Sequence, residues 1–128
     1  MPIFGAADTL ASLRARFQYA FEPEDPGYRP FATAHEIRGP FTVGGIAVTP
    51  FPQNHGNIIS LGFRFGPIAY STDFVDLPAE SFEVLRGVKI WIVDSLKRDP
   101  HPTHANLGTA LALLEKVRPE KEIGRAHV

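Results

Sequence analysis

The sequence predicts an α/β fold in which helices cover a sheet. Three observations carry that prediction. Residues 31–72 hold short alternating or apolar runs broken by Gly and Pro, the pattern of successive strands. Residues 78–117 then run helix, strand, helix by their spacing. The 128 residues, 44% of them apolar, suffice for one domain with a sizeable core and are too few for two ordinary ones.

Taken in order, "DTLASLRARF" (8–17) reads as a helix with Asp8 or Thr9 as N-cap and Leu10, Leu13, Arg14 and Phe17 at helical spacing. "EPEDPGYRP" (22–30) is a proline-punctuated loop. "FATAHEI" (31–37) alternates as a strand does, and Gly39-Pro40 breaks it. "FTVGGIAVTPF" (41–51) makes two short strands around Gly44-Gly45. "IISLGFRF" (58–65) and "IAYST" (68–72) are strands joined by a tight turn at Gly66-Pro67. "PAESFEVLRG" (78–87) has Pro at the first helical position, an early acid and a closing Gly, which is helix punctuation. "VKIWIVD" (88–94) reads as a buried strand. Thr103 is placed to cap a helix over 105–117, where Leu107, Leu111, Leu114 and Val117 share one face.

The totals exclude several classes. A net charge of −1 argues against a nucleic-acid or anionic-membrane surface. No apolar run approaches the roughly 18 residues of a membrane helix, and no signal-peptide pattern opens the chain. Without cysteine there is neither disulfide nor thiolate metal site, which fits a cytoplasmic setting. Twelve prolines and eleven glycines imply many loops, while the periodic segments between them exclude disorder.

His55 and Asp73 are the candidate metal ligands. If the strands around them form a meander, both residues follow strand ends on one edge of the sheet. Two strands at roughly 4.8 Å spacing separate them by about 10 Å, a gap that inward-leaning side chains can close. Spacing alone equally allows His55 to be a solvated turn residue and Asp73 a turn cap. His104, in "HPTHANL", has a bland reading as an exposed neighbour of a helix start. His35 reads as structural. Asp94 ends a buried strand, where it either caps the strand exit or orients a histidine.

Three blocks add to this: "MPIFGAADTLASLRARFQYAF", "VTPFPQNHGNIISLGFRFGPIAYSTDFVDLP" and "VKIWIVDSLKRDPHPTHANLGTALALLEKVRPEK". Together they resemble the metallo-β-lactamase-fold hydrolases of the phosphoribosyl cyclic phosphate phosphodiesterase type, associated with phosphonate breakdown, over essentially residues 1–121. The resemblance implies an αββα sandwich, of which this chain is a C-terminal-side portion, with two Zn²⁺ or Mn²⁺ ions at a sheet edge. By resemblance His55 ligates one ion, Asp73 bridges the two, and His104 is a non-ligand catalytic histidine that contacts phosphate and donates a proton. Imidazole and carboxylate donors suit zinc or manganese, and paired cations activate water and clamp a phosphodiester. A small phosphodiester substrate is implied, as is a homodimer of the parent enzyme; nucleic acid and membrane partners are not.

The departures matter as much. The family's His-x-His-x-Asp-His signature is absent, as is its final histidine ligand, and His127 has the wrong surroundings to replace it. Of the seven ligand positions the pattern implies, His55 and Asp73 are matched. Met1-Pro2 resembles the interior of a family member. "EIGRAHV" (122–128) is what a common sequencing adapter encodes in frame, so residues 122–128 are expected to be a non-native tail outside the fold. The resulting expectation is an enzyme of the phosphodiesterase class whose truncated chain is inactive alone. Two other readings stay open: a tRNA 3′-processing nuclease or thioester hydrolase of the same fold, and a non-catalytic binding domain.

Overall fold

The computed structural model describes residues 1–23, 27–95 and 97–126, with side chains described up to residue 124. The chain forms two compact units, Met1–Gly39 and Pro40–Val128. The first is a βαβ unit. Strand β1 (Pro2–Gly5) pairs in parallel with β2 (Thr33–Glu36), and helices α1 (Ala7–Arg16) and α2 (Gln18–Phe21) lie between them in sequence. Parallel strands need such a crossover, because a tight turn can only reverse the chain. His35 stacks on Phe4 with centroids 4.9 Å apart, a structural role for that imidazole. The α1 N-cap is Ala6, not Asp8 or Thr9; Asp8 sits in the first turn, where its carboxylate accepts from the Thr9 amide at 2.8 Å.

The second unit holds a six-stranded sheet in sequence order. Strands β3 (Phe41–Val43), β4 (Ile46–His55), β5 (Ile58–Phe65) and β6 (Ile68–Ser71) are antiparallel neighbours. Strands β7 (Ile90–Ser95) and β8 (Lys121–Ala126) then add in parallel, each after a helix: α3 (Ala79–Leu85) and α4 (Leu107–Val117). The predicted order of antiparallel strands followed by a βαβα tail is the order found.

The core is built around the β4, β6 and β7 side chains Phe51, Ala69, Trp91 and Val93, covered by Phe74, Leu77, Leu85, Ala110, Leu113 and Leu114. Buried polar groups there are mostly paired, as burial demands. The Trp91 indole donates to Ser71 Oγ at 3.0 Å, and the Ser81 hydroxyl donates to the Pro52 carbonyl at 2.5 Å, fastening α3 to β4.

Two prolines in the middle of a strand need a reason, since proline cannot donate to a ladder. Pro50, Pro52 and Asn54 share one parity on β4. The Asn54 amide and carbonyl point away from β5, bonding Asp76 O at 2.9 Å and Val75 N at 2.6 Å. The ring nitrogens of Pro50 and Pro52 therefore face the same outer edge, which β3 leaves uncovered after Val48. No ladder bond is lost.

Three further expectations change. The α4 N-cap is Asn106, whose Oδ1 accepts from the Thr109 amide at 2.8 Å, so Thr103 is not the cap. The face α4 buries is Ala110, Leu113 and Leu114, with Val117 packed beside them, whereas Leu107 and Leu111 are exposed. Residues 122–126, part of the 122–128 tail expected outside the fold, follow Lys121 in β8 and pair with β7. An edge strand needs only backbone donors and acceptors, which "KEIGRA" supplies without a proline. His127 lies outside the described residues.

Candidate metal centre

The site forms where three separated segments are stitched together. After β6 the chain turns past the first residues of β5 and reaches the outer edge of β4. Thr72 and Asp73 carbonyls accept from Gln53 Nε2 and Ser60 Oγ, at 3.0 and 2.6 Å, and residues 75–76 then bond Asn54. This crossing closes the two-strand gap between His55 and Asp73. Phe74, 1% exposed, anchors the turn in the core, while the Asp73 side chain stays 61% exposed. Asp73 adopts φ +53°, a left-handed conformation that aspartate tolerates better than most residues.

The third segment precedes α4. The Ala105 amide donates to the Phe74 carbonyl, and Thr103 O lies 2.5 Å from His55 Nδ1. A carbonyl only accepts, so Nδ1 carries the proton and His55 keeps its Nε2 lone pair for a ligand. This is the arrangement that orients a metal-binding imidazole. Gly56 lets the segment come this close: its φ is +65°, and a Cβ there would lie 2.9 Å from Thr103 Cγ2.

His55, Asp73 and His104 each offer a ligand atom, all within 4.8 Å of one another. The His55 and His104 rings meet edge to face at 4.9 Å between centroids. His104 is half-buried, and its Nδ1 has no hydrogen-bond partner among the described residues, with Asp73 Oδ1 at 3.9 Å. A buried, unpartnered imidazole nitrogen facing a carboxylate fits a divalent cation or a substrate oxygen between them. Two donors on one tetrahedral ion sit roughly 3.4 Å apart at metal–donor lengths of about 2.1 Å. The 3.9 Å spacing is close to that, so the pair has room for an ion or for a substrate oxygen between them.

A further histidine, which spacing did not single out, joins the group. His101 lies 5.2 Å from the His104 ring, and its Nδ1 accepts from the Thr103 amide at 3.3 Å. Desolvation, then His104, Lys97 and His55, hold its imidazole below the ordinary histidine range. Its signal was the "HPTH" run itself. Asp94 is buried in β7 with Oδ1 unpartnered among the described residues.

The fold and the cluster define a metallo-β-lactamase-type α/β domain, and comparison with known proteins agrees. Residues 1–124 match the family model described as "Beta-lactamase superfamily domain", and the chain belongs to that family. Among solved structures it is similar to "a New Diphosphatase from the PhnP Family", at 29% identity and a TM-score of 0.85, over 98% of this chain and 48% of that one. It also superposes on the metallo-β-lactamase-fold protein YhfI of Bacillus subtilis, at 16% identity and a TM-score of 0.72, over 99% of this chain and 53% of that one. An octanoyltransferase of Porphyromonas gingivalis (strain ATCC BAA-308 / W83) is 27% identical over 120 residues, 91% of this chain but 24% of that protein. The chain thus spans about half the length of the similar structures and about a quarter of the curated relative.

Proposed function

We propose that these residues are part of the active site of a divalent-metal-dependent phosphodiesterase acting on a small phosphodiester, a cyclic ribose phosphate in the sharpest form of the reading. The observation that carries it is the convergence of His55, Asp73 and His104 from three separated segments. The 29% identical neighbour, described as a diphosphatase, supports a phosphorus–oxygen substrate.

In this reading His55, through Nε2, and Asp73, through its carboxylate, would hold the divalent metal. Bound divalent cations would supply a lowered water pKa and charge neutralisation on the phosphoryl oxygens. The chain's own residues do the rest. The Thr103 carbonyl fixes the His55 tautomer, and His104, beside the carboxylate, delivers a proton to the departing alkoxide. The Asp73 side chain is 61% exposed, which leaves room for a substrate at the mouth of the site.

Calorimetric titration with Mn²⁺, and then with a non-hydrolysable phosphonate diester, tests the reading. His55→Ala and Asp73→Ala are each expected to weaken Mn²⁺ by at least about tenfold, the lower end of what even outer-shell changes cost. His104→Ala is expected to spare Mn²⁺ and weaken the diester. Diester binding that is indifferent to Mn²⁺, or binding of a thioester in its place, would overturn the substrate class.

A further inference from the structure

The metal-site reading leaves unexplained why a glutamine lies fully buried beneath the site with its carbonyl oxygen unbonded. Gln53 is 0% exposed, and its Oε1 has no hydrogen-bond partner among the described residues. Such a group persists only where something else needs it. Its Nε2 donates to Ser60 Oγ at 3.2 Å and to Thr72 O at 3.0 Å, and Ser60 Oγ donates in turn to Asp73 O at 2.6 Å. Two consecutive carbonyls, those of residues 72 and 73, are thus held by side chains of β4 and β5.

Register explains how the pair is built. Gln53 faces Ser60 across the β4–β5 ladder, and Phe51 faces Gly62 two residues along. Gly62 makes the room: a Cβ there would meet the Phe51 ring at 2.3 Å and Gln53 Oε1 at 2.7 Å. The held carbonyls flank a residue with φ +53°, a conformation that an ordinary exit from β6 would not adopt.

We infer that Gln53 and Ser60 are positioning residues for the metal centre: they clamp the backbone at Thr72 and Asp73 in the left-handed turn that aims the Asp73 carboxylate at His55 and His104. The inference rests on the metal-site reading above and deepens it. Neither side chain touches an ion or substrate; both act through Asp73.

The test measures Mn²⁺ affinity by calorimetry and stability by urea denaturation on the same variants. Ser60→Ala is expected to lose about tenfold or more in Mn²⁺ affinity, the scale of outer-shell changes, with little movement of the unfolding midpoint. Ser60→Thr, which keeps the hydroxyl, should bind Mn²⁺ within about twofold of the parent. In an Asp73→Asn background, Ser60→Ala should cost nothing further, since its only route is closed. Gln53→Met provides an independent arm. It matches the volume, removes the Nε2 bonds to Ser60 Oγ and Thr72 O along with the unbonded carbonyl, and should weaken Mn²⁺ in the parent while adding nothing to the loss in Asp73→Asn. A merely structural pair would lower stability and affinity together, and that result overturns the inference. So does wild-type Mn²⁺ affinity in Ser60→Ala when Asp73→Asn has lost it. Wild-type affinity in Asp73→Asn itself would instead remove the metal-site reading.

Discussion

At the scale of single residues, chemistry and backbone are coupled in this molecule. His55 is useful because the Thr103 carbonyl accepts a hydrogen bond from its Nδ1–H, and that carbonyl is within reach because residue 56 has no side chain. Asp73 faces the histidines because its backbone sits at positive φ. The tightest of these fits is at Gly62, where a methyl group would land 2.3 Å from the Phe51 ring, in a core with no slack. Gly62→Ala is therefore expected to destabilise the protein by about 1–3 kcal/mol, the cost of overpacking, read as a lower urea midpoint at unchanged slope. An unchanged midpoint would mean that Phe51 and Gln53 can move aside freely.

At the scale of elements, helix α4 connects the site to the core. Its N-terminus follows the segment that carries Thr103 and His104, and its buried face packs on β7. The Asn106 cap satisfies an amide that would otherwise be orphaned at the helix start. Asn106→Ala should cost about 1 kcal/mol in thermal or urea unfolding, while Asn106→Asp or Ser should restore most of it. Equal stability of all three would show that the cap is not formed.

The elements also show what the sequence could convey. The strand runs and the order of helices were legible because apolar alternation, prolines and glycines mark them directly. The buried face of α4 was not. Its sequence carries two overlapping apolar stripes, one through Leu107 and Leu111 and one through Ala110 and Leu113, and only the packing against β7 selects the second. Strand β1 is four residues long and exists through its pairing with residues 33–36, a long-range partner that local pattern does not reveal. For the site, His55, Asp73 and His104 stood out by residue type and by family resemblance. The Gln53–Ser60 pair did not, because it depends on the β4–β5 register, which no spacing rule supplies. His101 was passed over although its signal lay in the "HPTH" run, because only the approach of His55 makes a cluster of that run.

At the scale of the whole molecule, no described helix is long and apolar enough to cross a membrane, and the net charge is −1. Among the described residues one cluster of three donors could hold a metal ion, and the two ions that the resemblance implies would have to share those three. The chain is accordingly expected to show no measurable turnover of a bis-aryl phosphodiester with excess Mn²⁺ or Zn²⁺. Robust turnover abolished by Asp73→Ala would show that the described donors are sufficient.

The most direct measurement is anomalous diffraction at the zinc edge from crystals of this chain grown with Zn²⁺. The account predicts a peak about 2.0–2.2 Å from both His55 Nε2 and an Asp73 carboxylate oxygen, with His55 Nδ1 still within hydrogen-bond distance of Thr103 O. Zinc bound elsewhere, with that imidazole and carboxylate bare, would contradict it.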